Sequence, residues 1–134
     1  MDQTTFKTIK PLSFTLWVFL LICVTIGSLL PVSAIPDGPP LVSDKIQHFS
    51  AYFSLGILAH LSVPQVRGKI LLLALTFFAS VLIEYVQPLS GRHFEGWDIV
   101  ANSVGIATSI LASWSLQAVR KVRRSQISEK RSNK

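Results

Sequence analysis

With 134 residues, 49% of them apolar and only 15% charged, the chain is too poor in charge for a soluble domain of its length, which would carry roughly a quarter charged residues. Its net charge of +6 and pI near 9.9 would suit nucleic acid, but seven of the thirteen Lys and Arg lie from Arg120 onward. A basic run directly after an apolar stretch is the pattern of a cytoplasmic anchor on anionic lipid, so nucleic acid is set aside as a partner. Cys23, the one cysteine, excludes a disulfide framework and reads as a small buried hydrophobe.

Four apolar runs follow in chain order: Leu12 to Leu30, Ile46 to Val63, Ile70 to about Val86, and about Ile99 to Val119. Pro31, Pro64 and Pro88 close the first three. Each run holds 17 to 21 residues, which at about 1.5 Å per residue approaches a ~30 Å hydrocarbon layer. Backbone groups find no partners in lipid, so the runs are expected to be helices. The fold class is thus all-α, a small transmembrane four-helix bundle over residues 1–119 with a basic tail at 120–134.

Between the first and second runs, Pro36, Gly38, Pro39 and Pro40 exclude regular structure, and Ser43 or Asp44 suits a helix N-cap. Lys7 and Lys10, the first run and Val32-Ser33-Ala34 also resemble a cleavable signal peptide, but the run is longer than such signals use, so an uncleaved helix is expected. Lys7, Lys10, Arg67, Lys69 and the tail put eleven cations on one side and leave Lys45 and Arg92 for the other. The positive-inside rule then places both termini in the cytoplasm.

Helical spacing collects the remaining polar residues. Asp44, His48 and Tyr52 share one face of the second helix, and Asp98 and Asn102 one face of the fourth. Ser80, Glu84 and Gln87 share a face of the third. All three stripes fall at one depth beneath the outer surface, with Lys45 and Arg92 at the rim. Glu84 lies about a turn inside the boundary set by Pro88, where an acid is costly unless paired or wet, which makes it a functional candidate. Arg92, Lys45 or a protonated His48 would neutralise it; alternatively, desolvation would leave it protonated. The same network also serves to fix helix register without any further function. Ala101, Gly105, Ser109 and Ser113 form a small-residue ladder for close helix packing. His60 and His93 read as interfacial and solvated histidines. Trp17, Trp97 and Trp114 read as interface or lipid-facing aromatics, and Asp37 and Glu95 as solvated loop charges.

In this order and spacing, Asp44-Lys45-x-x-His48 with Tyr52 and Gly56, Glu84-x-x-Gln87, Arg92, Asp98, and Asn102 with Gly105 resemble the VanZ-like membrane protein family over roughly residues 43 to 110. The resemblance implies a multi-span protein of the bacterial cell membrane and a link to teicoplanin (glycopeptide) resistance. Some family members are labelled phosphotransbutyrylases, but this chain has no nucleotide-type Gly-rich loop and no soluble domain for coenzyme A.

Three function classes are therefore expected in order. The first is a module binding or modulating an anionic envelope lipid or cell-wall precursor, with Lys45 and Arg92 on the headgroup and Asp44, His48, Tyr52, Glu84, Gln87, Asp98 and Asn102 around it. The second is an intramembrane enzyme in which His48, Glu84 and Asp98 are the catalytic candidates. No metal or other cofactor is assigned, a metal on His48, Glu84 and Asp98 being a minor variant of the enzyme reading. A transporter ranks last, because the inner halves of the runs are almost wholly apolar.

Overall fold

The computed structural model describes residues 3–31 and 43–132, with side chains over 11–31 and 43–127. The expected proline-rich loop, with Asp37 and the Val32-Ser33-Ala34 cleavage signal, lies outside the described residues, as do the side chains of Lys7 and Lys10. The described chain is all-helical. Helix α1 runs Gln3–Leu29, α2 Asp44–Ser62, α3 Val66–Val86 and α4 Gly96–Ser132, with a 3-10 turn at Gln87–Ser90 after α3.

Three of the helices are long and apolar enough to cross a membrane, over Pro11–Leu29, Val66–Ser90 and Gly96–Ile127. The second expected span, Ile46 to Val63, does not meet that standard. Helix α2 has the length, at about 28 Å for its 19 residues, but Asp44, Lys45, Gln47, His48 and His60 dilute its apolar content. Its place in the bundle accounts for this. Helix α2 is the central helix, packed most extensively on α4, then on α1, and on α3 as well, so that His48 is buried and Asp44, Lys45 and His60 are partly covered.

The α2–α4 contact rests on small residues. At Gly105 a Cβ would come within 2.5 Å of the Phe49 carbonyl oxygen and 3.0 Å of the Phe53 nitrogen, so the two backbones nearly touch. Gly56 faces the side chain of Ser109, whose Cβ would lie 2.8 Å from an added Cβ. Gly105, Ser109 and Ser113 of the ladder are all buried, as expected for helices that associate by close van der Waals approach. Around this seam Tyr52, Leu55, Ala59, Leu72 and Ile106 form the core.

Trp17 belongs to that core and is not a lipid-facing aromatic: it is 5% exposed, and its indole N–H donates to the Thr76 hydroxyl at 3.2 Å. An indole buried between α1 and α3 finds its partner there instead of at an interface. Trp97 and Trp114 are exposed as expected. Cys23 is exposed on α1 and not a buried hydrophobe; its face of the helix, with Phe19, Ile22 and Ile26, points outward. Phe78, Leu82, Leu111 and Trp114 continue this apolar exterior. The basic segment from Arg120 is helical as far as it is described. It prolongs α4 to Ser132, giving a helix of 37 residues, about 55 Å long and well beyond a ~30 Å hydrocarbon layer.

Candidate functional site

The polar residues converge at one end of the bundle, where α2 and α4 begin and α1 and α3 end. Ser43 starts α2 by accepting the backbone N–H groups of Ile46 and Gln47 at 2.9 and 3.1 Å. The first turns of α2 then carry Asp44, Lys45 and His48. At the far side of the site the 3-10 turn closes α3, and Gly91 ends it in the left-handed conformation (φ 79°). Glycine adopts that conformation without steric cost. The reversal sends residues 92–95 back across the bundle mouth into α4, whose entry is fixed by the Asp98 N–H donating to the Glu95 carbonyl at 2.9 Å.

Glu84 sits beneath this loop, 1% exposed, and its Oε1 accepts the Glu95 backbone N–H at 2.8 Å. The groups expected to neutralise it are engaged elsewhere. Lys45 bonds Glu95 Oε2 and pairs with Asp98 Oδ1. Arg92 reaches Asp44 Oδ1 at 3.9 Å and donates to the Ser28 carbonyl at 3.4 Å. His48 Nε2 faces Asp98 Oδ2 at 3.5 Å and Asp44 Oδ2 at 3.9 Å.

Lys45 stands at the rim, ahead of the expected second run. Desolvation, the largest single influence, pulls its pKa down, but the Asp98 and Glu95 carboxylates together outweigh it and hold the ammonium above the ordinary lysine range. Asp98 itself is 3% exposed. Its Oδ1 has the Lys45 ammonium as an ionic neighbour yet accepts no aligned hydrogen bond.

Behind the carboxylates, the second ring nitrogen of His48, Nδ1, lies 3.1 Å from Asn102 Oδ1. An amide oxygen only accepts, so this contact puts a proton on Nδ1 and turns Nε2 toward Asp44 and Asp98. Asn102 is 1% exposed and Tyr52, a turn below His48, is also 1% exposed. Asp44, His48 and Asp98 offer ligand atoms that all lie within 4.8 Å of one another, and Glu84 is not in that group.

The structure thus brings together every site residue expected from sequence, and adds two. Glu95 is not a lone solvated charge: its side chain pairs with Lys45 and its N–H holds Glu84. Ser28, in the last turn of α1, accepts from Gln87 Nε2 at 3.3 Å as well as from Arg92. Carbonyls at a helix C-terminus lack intrahelical partners, and these two side chains supply them. Ser80 is buried but turns its hydroxyl to the Phe77 carbonyl at 2.9 Å, within its own helix. His60 lies near the other end of α2 beside the Gly56 carbonyl, and His93 is exposed in the loop. No protein-family model, curated protein or solved structure matches the chain.

Proposed function

We propose that the chain is a VanZ-like protein of the bacterial cell membrane that binds the headgroup of an anionic envelope lipid or lipid-linked cell-wall precursor. In this reading all four helices span, both termini are cytoplasmic and the polar mouth faces outward. The eleven cations on one side support that orientation. The observation that carries the ligand class is the state of Arg92. Its side chain is 23% exposed and its two contacts are long, so its donor fork is available to a phosphate or carboxylate arriving at the mouth. Lys45 contributes differently from the sequence expectation: bound to two carboxylates, it holds the acidic groups in place and does not reach for the ligand.

The test is the lipid that co-purifies with the protein. Wild type is expected to retain an anionic species that Arg92→Ala loses, at equal expression. Unchanged lipid content in the variant removes this function. Deletion strains complemented with either form would then show whether envelope-lipid composition and glycopeptide susceptibility follow the same residue.

The second reading is an intramembrane enzyme, favoured by the oriented imidazole of His48 with Asp98 beside it. Glu84, tied to the loop backbone, is not its partner. Lipid turnover that persists unchanged in His48→Ala would count decisively against catalysis.

A further inference from the structure

The spacing between His48 and the two aspartates fits neither hydrogen bonds nor empty space. An imidazolium bonded to a carboxylate would close to about 2.7–2.9 Å. Here Nε2 stands 3.5 Å from Asp98 Oδ2 and 3.9 Å from Asp44 Oδ2. Two ligand atoms that share one tetrahedral ion, each bonded at about 2.0–2.1 Å, are roughly 3.3 Å apart. These two separations are close to the edges of a coordination polyhedron, and the ligand atoms of all three side chains lie within 4.8 Å of one another.

Three further features point the same way. Asn102 Oδ1 faces Nδ1, which leaves Nε2 turned toward the carboxylates, and an oxygen acceptor on the far nitrogen is the usual support of a metal-bound histidine. Asp98 is 3% exposed, and while its Oδ1 is paired with the Lys45 ammonium its Oδ2 is turned to the ring nitrogen of His48. The mouth also holds three carboxylates, Asp44, Glu95 and Asp98, against two cations, Lys45 and Arg92, and so carries negative charge in excess.

We propose that Asp44, His48 and Asp98 bind a divalent transition cation such as Zn²⁺ or Mn²⁺. One nitrogen and two carboxylate oxygens suit such borderline ions better than Mg²⁺ or Ca²⁺, which prefer all-oxygen shells. Three protein ligands leave a coordination position open. Asp44, whose side chain is 43% exposed at the mouth, is the ligand nearest solvent. The open position would take a water or an oxygen of an arriving phosphate. This deepens the headgroup reading, on which only that last role rests; the ion site itself stands on the three side chains.

The experiment is a Zn²⁺ titration of the full chain in detergent, stripped of lipid and of any purification tag. Wild type is expected to take up about one equivalent with Mg²⁺ in excess, and Asp44→Asn or His48→Ala to weaken uptake by more than roughly tenfold. Asn102→Leu, which touches no ion, is expected to weaken it about 10- to 100-fold. His60→Ala, near the other end of α2, is expected to keep it. Melting curves of each protein exclude variants that fail to fold, and the partly exposed Asp44 keeps the test open if His48→Ala does not fold. Uptake by wild type no stronger than by Asp44→Asn overturns the proposal. Because no lipid is present, zinc bound by an Arg92→Ala protein that has lost its lipid leaves the ion site standing, and a lipid retained by a protein that binds no zinc leaves the headgroup reading standing.

Discussion

Glu84 shows how a buried acid can be structural and still stand at the centre of a site. Its Oε1 holds the Glu95 N–H, and through it the loop that carries Arg92 and Glu95 over the mouth. Glu84→Gln keeps an acceptor oxygen and is expected to leave the melting temperature in detergent close to wild type. Glu84→Ala orphans the N–H and is expected to cost about 1–3 kcal/mol, the desolvation cost of an unpaired buried group. Equal melting of the two variants would show that the carboxylate does not secure the loop. At this scale the sequence is partly legible. Intervals of four residues put Asp44 with His48 and Asp98 with Asn102, and their meeting requires only that α2 and α4 lie side by side. Glu95 was not legible because residues 91–95 have no helical period to aim a side chain. Ser28 was not legible because it acts through a backbone carbonyl, which every residue possesses.

Among the elements, the α2–α4 seam fixes the position of everything else. A side chain at Gly105 would strike the Phe49 carbonyl and the Phe53 nitrogen, which are backbone atoms and cannot rotate away. Gly105→Leu is therefore expected to separate the helices and destabilise the protein by about 3 kcal/mol or more, read as early loss of structure in a detergent melt. Gly56→Ala meets a different obstacle, the Ser109 side chain, with its Cβ at 2.8 Å. A second change, Ser109→Gly, is expected to recover most of that loss, whereas nothing across the seam should rescue Gly105→Leu. Rescue of both, or of neither, would show that the approach at these positions is not what the fold depends on. The ladder at Ala101, Gly105, Ser109 and Ser113 was readable from spacing alone. Which helix it met was not, since small residues record closeness without naming a partner. Trp17 was misread for a related reason. An indole suits a wet interface and a buried site with an acceptor equally well, and Thr76 supplies that acceptor only once α1 and α3 are packed.

At the scale of the whole molecule, orientation is the expectation with the most behind it in the sequence and the simplest check. In a Cys23→Ser background, a cysteine at Glu95 is expected to react with a membrane-impermeant maleimide in intact cells. One at Ser125, exposed on the basic extension of α4, is expected to react only after permeabilisation. The reverse pattern would turn the mouth to the cytoplasm. The central position of α2 also bears on how the protein is made. The helix least suited to lipid is synthesised before its most extensive partner, α4, with α3 between them. During translation α2 must therefore wait, held by α1 and α3 alone, with the charged end of its first turn lacking Asp98 and Asn102. Nascent chains stopped before Gly96 should integrate α2 inefficiently, as a glycosylation reporter would register, and chains long enough to include α4 should complete it. The C-terminal helix would then act as the late-arriving half of a hydrophobic sleeve, and its emergence from the ribosome would commit the protein to the bilayer.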